Sequence, residues 1–170
     1  PLEIWLNKSS DAADSRVELT DLTGDYLGQA PPGDTPVVFA PGFISRESLE
    51  HGPAIFSPDG NEVYWCSRKS AREWLETNLW FMKRVNNRWT KPQKLAPFGV
   101  EVAWMDPFLS KDGKRLYFSA DSNTIKEKGM SENENRDIWF VEKQHHGWSN
   151  PQKISPVIDT IHGQSQPTLT

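Results

Sequence analysis

The stretch Ile55–Trp65, IFSPDGNEVYW, holds a strand, a turn and a second strand in eleven residues. Ile55 and Phe56 form one apolar run, Asp59-Gly60 is a turn pair, and Val63, Tyr64 and Trp65 resume the apolar pattern. An Asp-Gly pair suits a two-residue hairpin turn in which both central residues take φ > 0, a conformation Gly and Asp tolerate best. The pattern recurs at Phe108–Phe118, FLSKDGKRLYF, and starts again at Thr168–Thr170.

Outward from this hairpin the chain is a repeat. Ser57 aligns with Ser110 and Tyr64 with Tyr117 at a spacing of 53 residues. Asn78–Leu95, NLWFMKRVNNRWTKPQKL, aligns with Asp137–Ile154, DIWFVEKQHHGWSNPQKI, at a spacing of 59. That spacing carries Trp80 onto Trp139, Trp89 onto Trp148 and Pro92 onto Pro151, so the six extra residues belong to the connection between the second and third strands. Gln166–Thr170, QPTLT, aligns with Asp106–Ser110, DPFLS, at a spacing of 60. The strands predicted for the first unit are 53–57, 62–67, 78–85 and 88–95, and for the second 107–111, 115–120, 137–143 and 147–154. Asn86-Asn87 and Gln144–Gly147 are short hairpin turns, since Asn accepts φ > 0. Four antiparallel strands per unit, with recurrent aromatic residues, predict the blade of a β-propeller.

The expected fold is all-β: a partial propeller of two complete four-stranded blades, 53–105 and 106–165, with the first strand of a third at 166–170 and an extended leader over 1–52. Within the leader, Pro1–Asn7 alternates apolar and polar residues as a strand does. Pro31-Pro32-Gly33 and Pro41-Gly42 bracket a short strand at Val37–Phe39, and Ser45–Glu50 has the start of a single helical turn. Trp65, Trp80, Trp89, Trp139 and Trp148 stand at repeat positions and are expected between blades. Trp74 and Trp104 stand outside the repeated frame and are the candidates for exposed contact. Cys66 stands where the second unit has Ser119, and reads as a small buried filler.

FSPDGNEVYW and LSKDGKRLYF resemble the WD40-like β-propeller repeats of TolB-type proteins. The leader YLGQAPPGDTPVVFAPGFIS and the segments LWFMKR…RW..P and IWFVEK…GWSNP are similar to a bacterial subgroup of that family. The resemblance covers about 26–170. It implies a binding platform rather than a defined activity, and a periplasmic or otherwise extracytoplasmic location, with the cytoplasm left open. Family propellers close with more blades than the two and a fraction here. Three arrangements would cover the open faces: a longer parent chain, the leader laid over one face, or several copies completing a ring. A fragment of a longer propeller or a homo-oligomer is therefore expected.

Composition narrows the function by exclusion. A net charge of −4 gives no support for nucleic-acid binding. No apolar run approaches the length of a membrane span. The single cysteine allows no internal disulfide. There is no Gly-x-Ser-x-Gly elbow, no His-Glu-x-x-His and no phosphate-cradling Gly-x-x-x-x-Gly-Lys. His145 and His146, adjacent on an extended segment, point apart and read as a solvated turn rather than a metal site. Neither a metal, a cofactor nor a catalytic residue is expected.

Alternation of strand direction places the lead-ins to the first strands and the long second-to-third connections at one end of each blade. The Asp-Gly turns lie at the other. Long variable loops carry function, so the first end is the expected site. Its candidate ligand-binding residues are Glu50, His51, Trp74, Trp104, Asp106, His162, Gln164 and Gln166, with His51, Asp106 and Gln166 converging toward the ring axis. The function expected is a non-enzymatic binding or scaffold module for a protein, a peptide or a small polar ligand. The alternative is a propeller-type hydrolase or accessory domain acting on glycans or peptides, for which Glu50 with Asp106 is the one carboxylate pair on offer.

Overall fold

A computed structural model describes residues 18–31, 33–46, 49–50, 52–68, 77–95, 103–121, 136–145, 147–154 and 164–168. The chain is all-β, folded as two antiparallel sheets packed face to face. The first contains β1 (Leu19–Thr23), β2 (Leu49–Glu50), β3 (Ile55–Phe56), β4 (Glu62–Arg68), β5 (Asn78–Val85), β6 (Arg88–Thr90) and β7 (Gln93–Leu95). The second contains β8 (Trp104–Leu109), β9 (Arg115–Asp121), β10 (Arg136–Gln144), β11 (Gly147–Trp148) and β12 (Gln152–Lys153).

Several of these strands are halves of one. β2 and β3 both pair with β4, β6 and β7 both pair with β5, and β11 and β12 both pair with β10. Each break holds a proline, at Pro53, Pro92 and Pro151, and proline has no N–H to give to a ladder. Each sheet thus repeats one four-strand order, and the first sheet gains β1 as an additional outer strand on β6.

The two repeat spacings meet in one ladder. Tyr64 pairs with Phe81 and Trp65 with Trp80 in the first sheet; Tyr117 pairs with Phe140 and Phe118 with Trp139 in the second. The lead-ins repeat as well. The Trp104 N–H donates to the Thr77 carbonyl at 3.1 Å, and one unit later the Gln164 N–H donates to the Arg136 carbonyl at 2.5 Å. Gly52, Asp106 and Gln166, each followed by proline, all take left-handed φ, at 84°, 53° and 56°. Gln164–Thr168 forms no strand, contrary to expectation over 166–168, since no described strand lies beside it to complete a ladder; 169–170 lie outside the described residues.

The Asp-Gly turns are tighter in design than a pair of left-handed residues. Of each pair only the glycine has φ > 0, Gly60 at 68° and Gly113 at 69°. The aspartate instead serves as an acceptor. Asp59 Oδ1 accepts from Ser57 Oγ at 2.6 Å and from the Asn61 N–H at 3.1 Å, while Asp112 Oδ1 accepts from Ser110 Oγ at 2.6 Å and from the Lys114 N–H at 3.0 Å. The Ser57 and Asn61 bonds hold the Asp59 carboxyl down at about 2. By contrast, Asn86 and Asn87 are both left-handed, at 50° and 64°, as a two-residue hairpin requires.

The turns of the two sheets touch. A Cβ on Gly113 would lie 3.0 Å from Pro58 Cδ, whereas a Cβ on Gly60 would meet nothing within 4 Å. Gly60→Ala is therefore expected to cost about 1 kcal/mol for the left-handed backbone alone, and Gly113→Ala about 2 kcal/mol because it also pushes the sheets apart. Urea titration of both variants checks this; equal losses would remove the inter-sheet contact from the account.

Alternation sorts the core into two clusters. Tyr64, Cys66, Leu79 and Phe81 face the second sheet and meet Trp104, Leu109, Leu116, Phe118 and Val141. Val63, Trp65, Met82 and Trp89 face the other way, where Leu27, Ala40 and Ile44 of the leader cover them. The leader thus covers the face of the first sheet turned away from the second. Trp65, Trp80 and Trp89 accordingly pack under the leader, not between sheets, while Trp139 and Trp148 do lie at the inter-sheet core. Trp104 is no exposed platform: it is 2% exposed, with its ring 5.1 Å from Phe118, edge to face. Cys66 is buried as a small core residue. On the far face of the second sheet Tyr117 and Phe140 repeat the ring pair of Tyr64 and Phe81, at centroid separations of 5.8 Å and 6.2 Å.

The leader also departs from expectation in its local structure. Val37–Phe39 is no strand, and Val37 and Val38 are 56% and 64% exposed. Ala40–Ser45 is a tight turn, with the Ile44 N–H on the Ala40 carbonyl at 3.0 Å, and Leu49–Glu50 joins β4 rather than ending a helical turn. The sheet edge offers each residue a ladder bond that an isolated turn of helix cannot match. The expected strand at Pro1–Asn7 lies outside the described residues.

Candidate binding site

The leader is held to the first sheet at three levels. β1 pairs with β6, and Thr20 Oγ1 donates to the Trp89 carbonyl at 2.8 Å. Trp89 Nε1 donates to the Gly24 carbonyl at 2.8 Å. Asp25–Gly28 is a single 3-10 turn with left-handed backbone at Tyr26 (49°) and Leu27 (58°), which buries Leu27 and leaves Tyr26 52% exposed. Beyond it Gln29 closes a loop with both ends of its amide: Nε2 donates to the Val38 carbonyl at 3.0 Å, and Oε1 accepts from the Ala40 N–H at 2.8 Å.

Between this loop and the sheet lies a half-open cavity of about 660 Å³, within the range of small-molecule sites. Trp65, Phe56 and Ala54 of the sheet line it, together with Tyr26, Pro31, Val37, Phe39 and Ile44 of the leader. The polar lining is sparse, with Gln29, Ser45 and Glu50. Among the described residues no acceptor meets the buried Trp65 indole N–H, in contrast to that of Trp89 on the same face.

Of the expected site residues, Glu50 lines this cavity. Its neighbour Gly52 lines it too, and the Asp106 carboxylate lies beside Gly52, with Oδ1 3.9 Å from where a Cβ would stand. Asp106 also accepts from Ser119 Oγ at 3.0 Å. Glu50 and Asp106 therefore lie at one end of the molecule. Gln164 is half-buried at the Arg136 carbonyl, and Gln166 is exposed. His51, Trp74 and His162 lie outside the described residues, so the three-way convergence of His51, Asp106 and Gln166 has positions only for the last two. Trp104 is removed from the set by its burial.

Sequence reasoning missed Tyr26, Val37 and Phe39. The available signal was the density of apolar residues in a leader with no repeat partner, which must bury themselves on some face of the fold. A second cavity, about 560 Å³, lies on the far face of the second sheet beside Lys111, Lys114, Arg115 and Tyr117. Its lining side chains are polar or charged, and Arg115 is paired with Glu142 at 2.8 Å and Lys143 with Glu62 at 2.6 Å. Among the described residues no group of three or more His, Cys, Asp or Glu is placed to hold a metal, and no helix is long and apolar enough to cross a membrane.

Fold and site together define a class: a repeat of four-stranded antiparallel sheets whose leader roofs an apolar cavity. Comparison with family models, curated proteins and solved structures found no match for the chain.

Proposed function

We propose that the two sheets are successive blades of a β-propeller and that the chain is a non-enzymatic binding module whose ligand sits between leader and first blade. The observation that carries this reading is the 660 Å³ cavity itself, walled by Tyr26, Phe39, Phe56 and Trp65. A half-open apolar hollow of this size leaves its lining side chains short of packing partners, and an apolar ligand supplies them. The expected site at the strand lead-ins contributes Glu50 to the rim, and the leader contributes most of the walls.

The test uses N-phenyl-1-naphthylamine, a neutral probe whose fluorescence rises in apolar surroundings. Micromolar binding is expected. Val37→Asp, which puts a charge into the wall at a half-exposed position outside the core, is expected to weaken it at least about tenfold, since an unpaired carboxylate must then be desolvated, with little change in melting temperature. No fluorescence gain, or equal affinity in the variant, would sink the reading.

A further inference from the structure

Resting on the reading of this cavity as a ligand site, we infer that its ligand carries a cation, an apolar amine or quaternary ammonium, with Glu50 as counter-ion and Tyr26, Phe39 and Phe56 as aromatic walls. Phe56 is the hub of the three rings. Tyr26 stands 5.4 Å from it at 75°, and Phe39 stands 6.0 Å from it at 73°. Edge-to-face rings present π faces at steep angles to one another instead of closing into a stack, and the negative face of each ring attracts a cation within about 6 Å.

The charges point the same way. Among the described lining residues Glu50 is the only one with a formal charge at neutral pH. Its Oε1 accepts from the Arg46 backbone N–H at 3.3 Å, a neutral donor, and it forms no ion pair among the described residues. The fold places its own cations on other rings: Arg46 and Lys94 lie over Trp80 at 5.3 Å and 5.6 Å, and Arg84 lies over Trp89 at 5.9 Å. No described cation of the chain stands over Tyr26, Phe39 or Phe56. A cationic ligand gains the Glu50 carboxylate as a partner that a neutral ligand does without, and an anion would be repelled by it.

Titration calorimetry of the whole chain at low salt, with three congeners that share one phenylbutyl tail, tests this. The probes are 4-phenylbutyltrimethylammonium, 4-phenylbutan-1-ol and 4-phenylbutane-1-sulfonate. The cation is expected to bind roughly tenfold tighter than the alcohol, with the sulfonate weakest. Glu50→Gln, at an exposed position, should bring cation and alcohol to within about twofold of each other without loss of the alcohol. Tyr26→Leu, which keeps an apolar wall and removes a π face, should lower the cation's advantage only. Alcohol bound as tightly as the cation by the unaltered chain overturns the inference and leaves the cavity reading standing. A preference that survives Glu50→Gln overturns the counter-ion. Absence of binding by all three overturns the cavity reading, and the inference with it.

Discussion

Trp89→Ala is expected to cost about 3–5 kcal/mol and to free the leader from the first sheet. Trp89 is fully buried at the centre of the leader cluster, with its ring 6.3 Å from Phe56 at 82°. It also joins the two parts by hydrogen bonds, through Nε1 to the Gly24 carbonyl and through its own carbonyl to Thr20 Oγ1. Alanine leaves a cavity of an indole's volume and the Gly24 carbonyl without its donor, and the two losses fall on the same contact. Trp89→Phe keeps most of the packing and loses the Nε1 bond, for about 1–2 kcal/mol. Urea denaturation gives the stabilities, and limited proteolysis between Gln29 and Ala40 reports on the leader. A Trp89→Ala variant within 1 kcal/mol of the parent, with the leader still protected, would be incompatible with a leader that packs as core.

The second large effect belongs to Glu62, which joins the two sheets. Its side chain is 10% exposed. Oε2 accepts from Tyr64 Oη at 2.7 Å and from Lys143 Nζ, on β10 of the second sheet, at 2.6 Å, while Lys83 Nζ stands 3.5 Å from Oε1. Glu62→Ala leaves a buried phenol and an ammonium without their acceptor, and is expected to cost about 2–4 kcal/mol. The lower half of that range is favoured by the solvent access of both lysines, which screens the pairs.

The pH dependence follows from the same contacts. Burial alone raises the Glu62 carboxyl, but the Lys143 and Tyr64 hydrogen bonds outweigh it, and the net shift is below the ordinary 4.5. A carboxyl depressed in the folded state stabilises above its unfolded value, and that contribution is lost as pH falls below about 4.5. The gap between the parent chain and Glu62→Ala should therefore be full at pH 7 and shrink in acid. For Tyr64, burial first and the Glu62 charge second raise the phenol above its ordinary 10. Stability from this group is full below pH 10 and declines as pH climbs beyond it. Chemical denaturation across pH 3–7 checks the acid side; a gap that widens toward pH 3 would contradict the assignment.

Much of this architecture was legible because its determinants are local. The Asp-Gly and Asn-Asn turns and the apolar runs beside them each act within a few residues, and they recur with the repeat, whereas the strand breaks at Pro92 and Pro151 were read through as continuous strands. The conformation of Asp59 was not legible, since a carboxylate that can tolerate φ > 0 can equally accept from Ser57 and Asn61. The placement of Glu50 and Asp106 at one end of the molecule was legible, since it follows from strand direction. Trp104 was misjudged because absence from the repeated frame was read as exposure, whereas a lead-in residue can turn its ring onto Phe118.

What the sequence by itself determined was the repeat unit, its strands and its turns, because period-two patterning and left-handed backbone positions are properties of neighbouring residues. Which face meets which partner was decided by tertiary structure alone. Val63 and Trp65 are as apolar as Tyr64 and Cys66, so a strand buried on both sides has no preference written into its alternation. Packing made the choice: the second sheet took Tyr64 and Cys66, the leader took Val63 and Trp65, and the space left between leader and sheet became the cavity.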